Sequence, residues 1–140
     1  MDIKVLKRKS KALKEFDKAQ WKLYDQEHFG KDVEWKKATY QIFVQENRHV
    51  IGTMELKIEG GVGKINTLIV HNDKQRQGIG KMLIEKATEL IKKHGGHKLF
   101  LTTGKDWEAA RFYKALGFEQ VGSLNDHYFH INFIEMSKLI

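Results

Sequence analysis

The sequence predicts a mixed α/β fold, a central sheet of about seven strands covered by helices. Three observations carry this. Apolar residues recur at helical spacing in some segments, and at alternating or short continuous spacing in others. The two kinds of segment follow one another as β-α-β-β-β-α-β-α-β-β. Proline is absent, so glycine, asparagine and aspartate mark the turns between them. The 140 residues contain no repeat, low-complexity linker or shift in composition, and residues 1–140 read as one domain with one core.

Each element has its own signal. Met1 to Arg8 sets Ile3 and Val5 among lysines and reads as a first strand. Ser10 is placed to cap the helix that follows. Ala12, Leu13, Phe16, Ala19 and Leu23 give that helix an amphipathic period, and it should end before Gly30. "ATYQIFVQENRHVIGTMELKIEGG" reads as two strands around Glu46-Asn47-Arg48, the second ending at Gly60-Gly61. Lys64 to Val70 is an apolar run of strand length.

A second helix is expected from about Gly78 to His94, with Ile79, Met82, Leu83, Ala87, Leu90 and Ile91 on one face. Lys92-Lys93-His94 suits the negative end of its dipole, and Gly95-Gly96 closes it. Lys98 to Thr102 reads as a short buried strand. Trp107 to Leu116 reads as a third helix, with Asp106 as N-cap and Gly117 just past its end. Phe118 to Gly122 and about His127 to Lys138 close the sheet.

Composition narrows the classes. No apolar run is long enough to span a bilayer, so no membrane partner is expected. "MDIKVLKRKSKALKEF" has no apolar core of a signal peptide. Cysteine is absent, which excludes disulfides and thiolate metal sites. A cytoplasmic location is the simplest expectation. The net charge of +7 points to an anionic partner without naming it. Lys11, Lys14, Lys18 and Lys22 read as a solvated helix face, not a nucleic-acid footprint. The histidine pairs His127/His130 and His94/His97 have no carboxylate at a ligand spacing, and no metal is expected. On a strand, His127 and His130 would face opposite sides.

One stretch stands apart. "DKQRQGIGKMLIEKA" puts Gly78 and Gly80 where a helix begins, although glycine inside a helix costs about 1 kcal/mol relative to alanine. A strand, a turn, glycines and a helix N-terminus together form an anion-binding arrangement. Arg76 and Lys81 add formal charge. Two named phosphate motifs fail. Met82 stands where a Walker loop needs Ser or Thr, and Leu83 where a dinucleotide fingerprint needs glycine. A loop that merely eases a tight turn stays open on glycine spacing alone.

Gln75, Gly78 and Gly80 also match a Gln/Arg-x-x-Gly-x-Gly/Ala pattern after the strand ending "LIVHND". Downstream lies "DWEAARFYKALGF", Asp106 to Phe118. In this order the two motifs resemble the GNAT superfamily of N-acetyltransferases, closely over about Lys64 to Gly122 and by element order over nearly the whole chain. The resemblance implies a mainly antiparallel mixed sheet flanked by helices. It implies acetyl-CoA as co-substrate, with its pyrophosphate on backbone N–H groups of about Arg76, Gln77, Gly78, Ile79, Gly80 and Lys81 beside Gln75. It further implies that the pantetheine arm pairs with a splayed strand edge at Leu68, Ile69 and Val70, one of whose N–H groups supports the oxyanion. Tyr113 matches the general acid that protonates the departing thiolate; an unperturbed phenol titrates near 10, somewhat above a thiol.

The departures are specific. Asp106 replaces an asparagine whose side chain often holds the pantetheine arm, and it lacks the amide donor. Asn66 and Leu101 occupy the positions of the usual glutamate bases. Deprotonation is left to water or to a residue such as Glu55 or His71. Trp21, Tyr24, His28, Phe29 and Tyr128 fall where acceptor-site walls are common, His28 and Phe29 being the better wall candidates and Trp21 nearer to helix packing. The expected activity is acetyl transfer to a primary amine, on a small molecule or a protein, by direct attack in a ternary complex. The missing glutamates keep open an acyl-CoA-binding module without efficient catalysis, and the net charge a basic nucleic-acid-binding domain. Members of the family often pair through a strand edge, which makes a homodimer one expectation.

Overall fold

The computed structural model describes residues 1–140. The chain forms two compact units, Met1–Trp35 and Lys36–Ile140.

The first unit holds one helix, α1 (Lys11–Phe29). Ser10 caps it as expected, its hydroxyl accepting the Leu13 N–H at 3.3 Å. Gly30 ends it in the left-handed region at φ 69°, donating its N–H to Gln26. Two expectations fail in this unit. Met1 to Arg8 is not a strand; Ile3 and Val5 are exposed and no ladder pairs them. Alternation is only half of what a strand needs, because its backbone groups must also be paired. The apolar stripe of α1 is exposed at Leu13, Phe16, Trp21 and Leu23, against the expected helix packing. A lone helix has no second layer of its own to cover such a stripe. Asp25 is the buried residue of α1, accepting from Trp35 Nε1 at 2.9 Å, and Trp35 packs edge-on against Phe29.

The second unit is a six-stranded sheet, one strand fewer than expected, the missing one being Met1 to Arg8. Its strands are β1 (Ala38–Glu46), β2 (His49–Glu59), β3 (Val62–Val70), β4 (Lys98–Gly104), β5 (Glu119–Leu124) and β6 (Phe133–Leu139), in the order β1-β2-β3-β4-β6-β5. All neighbours are antiparallel except β3 and β4. Asn47 and Arg48 make the β1–β2 turn with φ of 49° and 67°, the left-handed pair that matches the twist of a two-residue hairpin.

Helix α2 (Ile79–Lys93) covers one face of the sheet. It buries Ile79, Leu83, Ile84, Ala87 and Ile91 against Met54, Leu56, Ile58 and Ile65. Ile84 takes the place expected for Met82, which is exposed. Burying each of the leucine and isoleucine side chains contributes about 1.5–3 kcal/mol. Helix α3 (Glu108–Ala115) packs near β4. Trp107, not Asp106, is its N-cap residue; the Trp107 ring lies against Phe133 at 5.2 Å and its N–H bonds to Gly104. The last strand begins at Phe133. His127 to His130 form a short 3₁₀ turn with its flank, so the histidine pair is not on a strand. No helix is long and apolar enough to cross a membrane.

Candidate functional site

The sheet contains one parallel junction, and it is incomplete. β3 pairs with β4 only through Val62–Lys64 opposite Lys98–Phe100. Beyond that point the strands part, and the edge of β3 as far as Val70 faces no strand. In a ladder, alternate backbone N–H and C=O groups point to each side, so this edge offers unpaired donors and acceptors.

The splay opens a cleft of about 390 Å³. Leu68, Ile69 and Val70 form one wall, and Gln75, Arg76 and the first turn of α2 form its floor. Glu108, Ala109, Phe112 and Tyr113 of α3 form the other wall. Nine of the eleven residues expected to hold the coenzyme line this cleft, as does Tyr113; Gln77 and Asp106 do not. Asp106 lies exposed in the turn before α3. Glu108, Ala109 and Phe112 escaped the sequence reading, although their spacing with Tyr113 puts all four on one helical face.

The chemistry of the floor suits an anion. Gly78 precedes α2 at φ 82°, a conformation that favours glycine, and no side chain caps the helix. The Met82 N–H is the first to bond back, to Gly78 O at 3.0 Å. The N–H groups of Ile79, Gly80 and Lys81 therefore have no partner within the helix, at its positive end. Gly80 serves a different need. A Cβ there would lie 2.8 Å from Phe112 Cζ, so Gly80 lets α3 close on α2. The two sequence motifs meet at this contact. Arg76 sits at φ 63° and pairs with Glu108 across the cleft at 3.3 Å.

Tyr113 is only 7% exposed, packed edge-on against Phe112 and Phe118. Burial pushes its phenol up to about 12, so at neutral pH it is a neutral donor. Asn66 and Leu101 supply no base. Leu101 is in the core. Asn66 is the extra residue of a bulge in β3, and its Nδ2 donates to Glu55 Oε2 at 3.1 Å. His71 accepts the Asp73 N–H on Nδ1 and lines a separate hollow with Glu46 and His49.

Of the acceptor-wall residues His28, Phe29 and Tyr128, the first two belong to the first unit and Tyr128 to the second. His28 stacks on Tyr24 and Phe29 meets Trp35, both within the first unit. Tyr128 is exposed in the 3₁₀ turn, against His127 and Phe133. No group of three His, Cys, Asp or Glu side chains is spaced to hold a metal ion. His130 instead meets Asp126 at 2.6 Å, and His94 bonds to Tyr40 at 2.7 Å.

Comparison with known proteins gives the same direction. The model of the acetyltransferase (GNAT) domain matches residues 7–140. The chain is 33% identical over 95 residues to a glucosamine 6-phosphate N-acetyltransferase of Schizosaccharomyces pombe, covering 61% of this chain and 84% of that protein. An acetyltransferase from Bacillus cereus ATCC 14579 superposes with a TM-score of 0.75 over 98% of both chains at 18% identity. A Bacillus anthracis acetyltransferase solved in complex with acetyl coenzyme A covers 73% of this chain and 62% of its own, with 22% identity and a TM-score of 0.68. With its splayed parallel junction, its uncapped helix start and the family match over residues 7–140, the chain belongs to the GNAT acetyltransferase family.

Proposed function

We propose that residues 1–140 act as one acetyl-CoA-dependent N-acetyltransferase domain, passing an acetyl group to a primary amine while both substrates are bound. The observation that carries this is the single cleft joining the open β3 edge, the uncapped start of α2 and Tyr113. The N–H groups of Ile79, Gly80 and Lys81 receive the pyrophosphate, with Arg76 and Lys81 side chains adding charge. The edge at Leu68 to Val70 pairs with the pantetheine amides, and one of its N–H groups steadies the negative charge that builds on the thioester oxygen.

The amine nitrogen forms the new C–N bond and the C–S bond breaks. Tyr113 donates its O–H to the leaving sulfur. A phenol at about 12 facing a thiol whose ordinary value is about 8.5 makes complete transfer uphill. Tyr113 therefore acts chiefly as a hydrogen-bond donor; the attacking nitrogen gives up its proton to solvent, and solvent supplies the thiol's final proton. Holding both reactants on one scaffold supplies much of the rate.

Thiol release from acetyl-CoA with a panel of amines tests the reading. Tyr113→Phe is expected to lower kcat by about a hundredfold while leaving coenzyme A affinity within twofold. Tight coenzyme A binding with no thiol release on any amine would identify a binding module instead.

A further inference from the structure

The face of the sheet opposite α2 carries a carboxylate whose surroundings the coenzyme does not explain. Glu55 alternates with the buried Met54 and Leu56, so it points away from α2. Gln41 Nε2 donates to its Oε1 at 2.7 Å and Asn66 Nδ2 to its Oε2 at 3.1 Å. The Glu55 N–H bonds to Thr67 Oγ1 at 3.2 Å. Each carboxylate oxygen is thus held by one amide and keeps a lone pair for a second donor. In a chain with 25 lysines and arginines, no cation pairs with it. Lys57, the next lysine on the same face, is turned to Glu59.

Position adds to this. Glu55 lies opposite Thr67, and the next pair along the same face is Thr53 with Ile69. Ile69 lines the cleft. One strand spacing and one residue pair separate Glu55 from that stretch of open edge, roughly 8 Å. Phe43, opposite Thr53, and Ile69 are exposed and flank the path with apolar surface.

We propose that Glu55 is the anchor for a second positive charge on the acceptor, so that the enzyme prefers amines carrying another cationic group about one lysine side chain away from the reacting nitrogen. This rests on the transferase reading above. The amide donors favour the ionised form and hold the Glu55 carboxyl below the usual value, which makes it a firm anion and a poor base. A carboxylate on the reacting nitrogen would keep that nitrogen protonated and unreactive. The same carboxylate on a distant cation positions the amine without that penalty.

The test uses 1,5-diaminopentane and n-pentylamine on the coenzyme A-saturated protein, read by calorimetry and by thiol release from acetyl-CoA. Wild type should bind the diamine at least tenfold more tightly, as expected of a charge-assisted hydrogen bond. Glu55→Gln should remove that preference through KM, and Glu55→Asp should keep part of it; coenzyme A affinity reports folding. Equal affinity for both amines in wild type would overturn the proposal. So would a Glu55→Gln fall in kcat that is equal for both, which marks a base, or tighter binding of glucosamine 6-phosphate that Glu55→Gln improves. Glu55-dependent diamine binding without thiol release would keep this site and sink the transferase reading. Thiol release at equal kcat/KM for both amines would do the reverse.

Discussion

Tyr113 combines two roles, since it packs in the core and also lines the cleft. That combination has a pH signature. The unfolded phenol titrates near 10, the folded one near 12. Below pH 10 both states keep the proton and the burial contribution is complete. Between 10 and 12 the unfolded chain ionises first and stability falls; above 12 the contribution is gone. The loss amounts to at most about 3 kcal/mol. Urea midpoints at pH 8, 9.5 and 11 should show wild type losing ground to Tyr113→Phe as pH rises, the other tyrosines titrating in both proteins. Parallel profiles would show that the phenol is not held up by burial. A second residue-scale outcome concerns Glu108, whose carboxylate competes for Arg76. Both groups are exposed, and such a pair is worth about 0–1 kcal/mol. Glu108→Gln should therefore tighten coenzyme A binding by up to about fivefold at low salt, an effect that fades at high salt. Weaker binding would mean that Glu108 helps to hold the coenzyme.

At the scale of elements, α2 and α3 meet where Gly80 faces Phe112. Gly80→Ala forces a methyl group against that ring and should destabilise by about 1–3 kcal/mol. Phe112→Leu should recover part of the loss in a double-mutant cycle, with a coupling of about 0.5–3 kcal/mol; strict additivity would place the strain elsewhere. The sequence showed both glycines but not their different duties, since a close approach between helices leaves no mark in the spacing of either. The α2 boundaries, the β1–β2 turn and most of the cleft were legible because local chemistry decides them: a dipole-matched helix end, a left-handed Asn-Arg pair, a glycine at a helix start. The supposed strand at Met1 to Arg8 and the apolar stripe of α1 show the limit. Their periods are right, but pairing and burial depend on partners that a local pattern does not contain. Trp107 stands at the N-cap in place of Asp106, and its ring meets Phe133, a distant partner that a local capping preference does not contain. Asn66 looked like a missing base. Only the bulge reveals that it holds Glu55.

For the whole molecule, the question is what a net charge of +7 serves. Some of the cations are already paired: Lys9, Lys37, Lys74, Lys86 and Lys93 each lie within 4 Å of a carboxylate, as does Arg76, through Glu108. What concentrates positive potential in the cleft is the uncapped helix start with Arg76 and Lys81 beside it. Backbone donors and a strand edge are not screened as exposed charges are. Two ligands should therefore respond differently to salt. An oligonucleotide relies on phosphate neutralisation, so any binding at 50 mM salt should fall steeply by about 200 mM. Coenzyme A, on the proposed reading held largely by backbone groups, should lose only severalfold over the same range. It should also displace whatever oligonucleotide binds in the cleft, and it should raise the melting temperature by several degrees at a hundredfold excess over Kd. Fluorescence anisotropy of a labelled oligonucleotide, titrated with salt and then with coenzyme A, reads both effects. Oligonucleotide binding that persists at 200 mM salt and ignores saturating coenzyme A would assign the charge to a nucleic-acid surface outside the cleft.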